Sequence, residues 1–137
     1  MDDPGVDGAV AAATYFLSLY PYVYNTGDLT EWKALSHPEC VFCASVVNGV
    51  EETTALEHSY VGTSLSIASV TGTEVDPGVF FSVDVRATQT AGTEVDSDGK
   101  VIAAPPPGEE PLDIALVILR EGKAWTVRAV EPVAAHD

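Results

Sequence analysis

The spacing of apolar residues changes once along this chain, near Glu57, and that change limits the fold to helices first and sheet afterwards. Before it, Val10, Ala13, Phe16, Leu17, Tyr20 and Tyr24 recur at steps of three and four residues. That repeat lines up one stripe of an α-helix, which turns every ~3.6 residues. After it, Leu65, Ile67, Ser69 and Thr71 alternate with Ser66, Ala68 and Val70. Val79, Phe81, Val83, Val85 and Ala87 likewise alternate with Phe80, Ser82, Asp84, Arg86 and Thr88. A period of about 2 belongs to strands.

Three helices are predicted in the first part. The stripe spans residues 9 to 24, with a kink or break expected at Pro21, which lacks an amide donor and crowds the preceding turn. Asn25-Thr26-Gly27-Asp28 closes it, Gly27 suiting a left-handed cap and Asp28 able to cap the next helix. A short helix over 29–35 turns Leu29, Trp32 and Leu35 inward. Ser36-His37-Pro38-Glu39 reads as a capping box, which starts a third helix at Pro38 and carries it to Leu56. Gly49 weakens that helix by about 1 kcal/mol relative to alanine.

The later strands are separated by turn chemistry at Asp76-Pro77-Gly78 and Glu121-Gly122-Lys123. Residues 112–120 are apolar on both faces, Leu112, Ile114, Leu116 and Ile118 against Ala115, Val117 and Leu119. That pattern predicts a central strand covered on both sides, with 124–131 returning as its hairpin partner. Residues 92–111 read as an exposed, mobile excursion. It holds a tight turn at Asp96-Ser97-Asp98-Gly99, a small hairpin ending at Val101-Ile102, and a run, Pro105-Pro106-Pro107-Gly108, that no central strand accepts. The fold class is α+β: three N-terminal helices packed on an antiparallel sheet of about four strands. With 137 residues, 46% of them apolar, the chain can build one core without a metal or a dense disulfide net. Residues 1–8 read as a tether, 9–131 as the domain and 132–137 as a tail.

Six basic residues against 21 acidic give a net charge of −15. A field of that sign repels phosphate backbones and anionic membrane surfaces, so nucleic acid is not expected as a partner. No apolar run reaches the ~18 residues of a membrane span. Met1-Asp2-Asp3-Pro4-Gly5 carries neither a basic nor an apolar signal region. It reads either as a cytosolic start or as a chain beginning after a removed targeting segment.

Few residues are candidates for chemistry. Cys40 and Cys43 are the only cysteines. Their spacing supports a structural disulfide across a helix turn, and it also leaves open a redox pair, half a zinc site and two buried thiols. A redox thiol needs a helix N-terminus, and counting from Ser36 places Cys40 four residues past the cap. No second pair of cysteines or histidines completes a zinc site, so no metal or cofactor is expected. Asp84 and Arg86 read as an exposed ion pair, Asp28 as a cap, His37 as a helix-start residue, and His136 as part of the tail. His58, at the helix-to-strand junction, reads either as a surface histidine or as a site residue. Glu94, Asp96 and Asp98 superficially resemble a calcium loop, but the bidentate position falls on Pro105, so a hairpin turn is the reading.

Three helices followed by a curved antiparallel sheet resemble the cone fold of the nuclear transport factor 2-like (SnoaL-like, ketosteroid-isomerase-like, cystatin-like) proteins. A narrower likeness rests on Tyr22-Val23-Tyr24-Asn25-Thr26-Gly27-Asp28, then Leu35-Ser36-His37-Pro38-Glu39-Cys40 and Cys43. Val95 to Val101 and Gly122 to Val127 add to it. Together these resemble an uncharacterised domain family of actinobacterial lipoproteins with a Y-x-Y-x-T-G-D segment before an L-S-x-P-x-C-x-x-C segment. The resemblance implies an extracytoplasmic, lipid-anchored, cell-surface domain of unknown activity. The family's signal peptide and lipid-bearing cysteine are not found in this sequence.

The cone fold implies a pocket walled by Phe16, Tyr20, Tyr24 and Trp32 from the helices, and by Phe81, Val83 and Ile114 or Trp125 from the sheet. The same aromatics also fit an ordinary core. Three functions remain as expectations. The first is a non-catalytic envelope domain that binds a ligand or protein partner. The second is a small ketosteroid-isomerase-like enzyme for an apolar substrate, which needs a buried carboxylate beside a tyrosine. The third is an interaction module, including a homodimer, whose outer sheet face buries Ala115, Val117 and Leu119.

Overall fold

A computed structural model describes residues 3–105 and 108–134, the side chains of Val133 and Ala134 aside. The readings of His136, of Pro106 and Pro107, and of the outer ends of the tether and tail lie outside the described residues. Helices α1 (Val6–Thr26), α2 (Thr30–Leu35) and α3 (Val41–Ala55) precede strands β1 (Ser59–Val61), β2 (Ser64–Asp76), β3 (Phe80–Thr90), β4 (Thr93–Val95), β5 (Val101–Ala103), β6 (Glu110–Glu121) and β7 (Ala124–Ala134). The long strands form one antiparallel sheet in the order β2-β3-β6-β7, and the short ones a second in the order β1-β4-β5. Register shifts at Ile67/Ser69 and Glu74/Asp76 in β2, and at Arg128 of β7 opposite Val117/Ile118, mark bulges. Bulges raise local twist and bend the strand that carries them.

The helices cover one face of the long sheet. Phe81, Val83, Val85 and Ala87 of β3 and Leu112, Ile114, Leu116 and Ile118 of β6 are buried beneath Ala9, Ala13, Phe16, Leu17 and Val23 of α1. Gly72 sits where α1 presses on β2. A methyl group there would lie 2.6 Å from Val10 Cγ2 and 2.8 Å from Val6 Cγ2, so the absence of a side chain sets how closely helix and sheet approach.

Several expectations need correction. The break at Pro21 does not occur, and α1 continues through it to Thr26. Buried residues on both sides, Leu19 and Val23 among them, hold the helix to the core, so packing offsets the lost donor. The helix also begins at Val6, so Val6 to Gly8 belong to it and not to the tether, and β7 runs to Ala134, past the expected end at 131. Strand β6 is central but is covered on one face only: Ala115 is exposed and Val117 and Leu119 are partly so, because all three helices pack on the other side. Arg86 pairs with Asp113, directly opposite on β6, through contacts of 3.0 and 3.2 Å, and not with Asp84.

The start of α3 differs for a tertiary reason. Ser36 is the C-cap of α2, and its hydroxyl donates to Trp32 O at 2.6 Å. Its backbone is extended and makes a parallel bridge to Val127, where His37 N donates to Val127 O at 3.0 Å. The linker is thus drawn along the free edge of β7, and α3 starts only after it. Cys40 takes the N-cap position, its sulfur accepting from Cys43 N at 3.1 Å.

Candidate binding site

The Y-x-Y-x-T-G-D segment is a helix-terminating device. Gly27 adopts the left-handed conformation (φ 78°) and its N–H donates to Val23 O at 2.8 Å. Thr26 Oγ1 donates to Tyr22 O and accepts from Asp28 N. Asp28 accepts from Thr30 N through one oxygen and from the Tyr22 hydroxyl, at 2.9 Å, through the other. The Thr30 backbone N–H first, and then the Thr30 and Tyr22 hydroxyls, hold the Asp28 carboxyl below its ordinary pKa. A carboxyl lowered in the folded state supports folding above its unfolded pKa and loses that support as pH falls through the folded value. Asn25 ties this terminus to the sheet, donating to Thr63 O at 3.0 Å and accepting from Thr63 N at 3.2 Å.

The aromatic wall expected of a cone pocket divides into three parts. Phe16, Trp32 and Phe81 are fully buried and Trp125 nearly so; all four fill the core. Phe16 and Trp32 stack with ring centroids 3.9 Å apart, Trp32 Nε1 donates to Cys43 O at 3.1 Å, and Phe81 meets Trp125 edge-on. Tyr20 lies beside a small apolar cleft of about 40 Å³ that Leu17, Phe42, Leu65, Ile114 and Val130 help to line. A void of that size holds a water or two, or the end of one aliphatic chain. Tyr24 lines a different cavity, of about 210 Å³, at the junction of α1, α3 and β1. The wall residues therefore do not converge on one hollow.

The junction cavity is the roomier of the two. Thr26, Thr53, Glu57, His58 and Tyr60 line it with Tyr24. The Tyr24 and Tyr60 rings stand at 88°, centroids 5.4 Å apart, and Tyr20 packs edge-on to Tyr24. Burial, then the nearby Tyr20 phenol and a hydrogen bond with it, hold the Tyr24 hydroxyl well above its ordinary pKa. Burial likewise raises that of Tyr20. His58, read as a surface histidine or a site residue, is neither open nor unpartnered. Its Nδ1 meets Glu94 Oε2 at 2.8 Å, with the side chains 18% and 19% exposed. Sequence reasoning missed this pairing because β1 is three residues long and its partner β4 lies 34 residues further on. Asp96, in turn, directs its carboxylate at the backbone N–H groups of Asp98 and Lys100, as a hairpin turn does.

Glu57 enters the cavity lining from an unusual backbone. Helix α3 ends in a Schellman motif, with Glu57 N donating to Thr54 O and His58 N to Thr53 O. Glu57 is the one non-glycine residue with positive φ (61°) among the described residues. Glycine suits that position better, so Glu57→Gly is expected to raise unfolding free energy by about 0.5–1 kcal/mol. Equilibrium urea unfolding checks this, and a destabilised variant would show that the glutamate side chain contributes more than its backbone loses.

Cys40 and Cys43 form a disulfide, with Cα atoms 5.2 Å apart. Cys40 stands at the helix N-terminus, nearer the redox geometry than the count from Ser36 implied. Each residue is nevertheless only 1% exposed, which bars an attacking thiol from either sulfur.

Three helices closed over one face of a bent antiparallel sheet, with cavities between helix ends and strands, define a nuclear transport factor 2-like cone domain. Solved structures of similar fold agree. A Novosphingobium aromaticivorans protein, provisionally named a scytalone dehydratase, is 14% identical, with a TM-score of 0.67 over 99% of this chain and 89% of that one. The intermembrane-space region of the chloroplast protein ARC6 is 10% identical, with a TM-score of 0.64 over 96% and 98%. A nuclear transport factor 2-like superfamily protein from Salmonella enterica is 14% identical, with a TM-score of 0.60 over 97% and 95%. No curated protein matches the sequence. The chain belongs to DUF6318, a family of unknown function, whose model matches residues 1–131.

Proposed function

We propose that this chain is a non-catalytic, extracytoplasmic binding domain, carried at the cell surface of an actinobacterium by a lipid anchor ahead of residue 1, and that it engages an envelope ligand or protein partner. The filled cone carries this reading. The aromatics expected to wall a substrate chamber pack on one another, and the opening left beside Tyr20 admits only an apolar tip. An isomerase-like mechanism on this fold needs a buried carboxylate, whereas Thr63 is the only buried polar residue among those described. The disulfide fits an oxidising compartment, and no helix among the described residues is long and apolar enough to cross a membrane.

The cleft then takes the end of an aliphatic chain or one apolar side chain. Titration with n-hexanol is expected to move the Tyr20 and Leu65 NMR signals saturably, and Leu65→Phe to abolish the response. Absence of any saturable shift in the wild-type protein would reduce the cleft to an imperfection of packing. Metabolic labelling of the full-length precursor with a fatty acid tests the anchor, and an unlabelled precursor removes it.

A further inference from the structure

The junction cavity has a chemistry of its own, distinct from the apolar cleft. At about 210 Å³ it is smaller than the ~300–1,000 Å³ of drug-sized sites and suits a single head group. Two of its walls are the perpendicular rings of Tyr24 and Tyr60. Its polar lining is rich in acceptors. The Thr26 hydroxyl proton is donated to Tyr22 O and that of Thr53 to Gly49 O, so both oxygens have only lone pairs left to offer. His58, tied through Nδ1 to Glu94 Oε2 at 2.8 Å, lines the cavity with its ring. Glu57 adds a carboxylate that makes no ion pair among the described residues. The Thr54, Ser59 and Tyr60 hydroxyls can still donate to a neutral polyol, whereas an anion meets the Glu57 carboxylate and a net field of its own sign. A compact cation meets both the acceptors and two aromatic walls, in a protein whose net charge of −15 draws cations toward it.

We propose that this cavity is a binding site for a primary ammonium group on a slim aliphatic stem, whether a free alkylamine or the lysine side chain of a partner protein. It stands apart from the reading of the apolar cleft, and either can fail alone. The test is an NMR titration of the intact protein with n-butylammonium, with its neutral counterpart n-butanol, and with Nα-acetyl-lysine methylamide. Butylammonium is expected to shift the Tyr24 and Tyr60 ring signals saturably, n-butanol to leave them unmoved, and Glu57→Gln to weaken the amine about fivefold, as loss of one nearby charge in a hydrated site does. Tighter binding of the lysine amide than of butylammonium points to a protein partner, and equal binding to a free amine. Ring signals that do not move, that move equally with n-butanol, or that respond with unchanged affinity in Glu57→Gln would overturn the proposal.

Discussion

Replacing Trp32 with alanine is expected to remove about 3–5 kcal/mol of stability, which is much of the ~5–15 kcal/mol a domain of this size holds. The ring is fully buried, stacks on Phe16, and lies within 6.4 Å of Tyr20 and Phe42, ring centroid to centroid, so its removal leaves a cavity bounded by three other aromatics. It also ties α2 to α3, two helices that meet at few other points. Trp32 belongs to a helix of six residues, and its indole N–H reaches Cys43 O in α3. A helix that short has no stability of its own, so Trp32 is what fixes α2 between α1 and α3. Trp32→Phe separates the two contributions. The stacking surface is largely retained while the donor is lost, and a smaller decrease, about 1–3 kcal/mol, is expected. Urea unfolding should be followed by far-ultraviolet circular dichroism, because the variants keep only Trp125 of the two tryptophans as a fluorescent reporter. An alanine variant within about 1 kcal/mol of the wild type would mean that the indole is not part of a close-packed core.

What was legible in the sequence was whatever the chain decides locally. The change of period at Glu57 located the boundary between helices and sheet, and no strand precedes Ser59 among the described residues. Gly27 was legible as a left-handed cap and Asp96 as the organiser of a turn, because both act on their own neighbours. Misread features were those decided at long range. Ser36 carries a capping signature, yet a bridge to Val127, 91 residues away, holds its backbone extended and moves the cap to Cys40. Apolar residues on both faces of β6 signal coverage on both sides, but periodicity reports the character of a face and not whether anything packs on it. The candidate site was half legible. Tyr24 and Tyr20 were found through the helical stripe. His58, Tyr60 and Glu94 meet only through a three-residue strand too short to show alternation.

Replacing both cysteines should show two separable contributions, because Cys40 does two jobs. The disulfide closes a loop so short that the chain-entropy model assigns it about 2 kcal/mol. The Cys40 sulfur also accepts the Cys43 N–H as the N-cap of α3. A double replacement by alanine, at Cys40 and Cys43, loses the cross-link, the cap and part of the packing of two side chains that are each 1% exposed. A total loss of about 3–5 kcal/mol is expected. Double replacement by serine restores a cap acceptor at position 40, since serine is among the strongest N-cap residues. The hydroxyl introduced at position 43 points toward Val127 O, which lies 3.9 Å from the Cys43 sulfur. The serine pair is therefore expected to be more stable than the alanine pair by about 1 kcal/mol. Wild-type protein reduced while unfolded in urea, where both sulfurs are accessible, and kept reduced on refolding should fall between no change and the serine pair, since the thiols keep both the packing and the sulfur acceptor. All three are read as shifts in the urea midpoint at constant slope, which separates a loss of stability from a change in the surface exposed on unfolding. If the serine and alanine pairs unfold together, the sulfur's role at the helix terminus is unimportant and the cross-link alone accounts for the cysteines. If reduction leaves the midpoint unmoved, the bond contributes nothing to the folded state, and the strongest physical argument for an oxidising compartment goes with it.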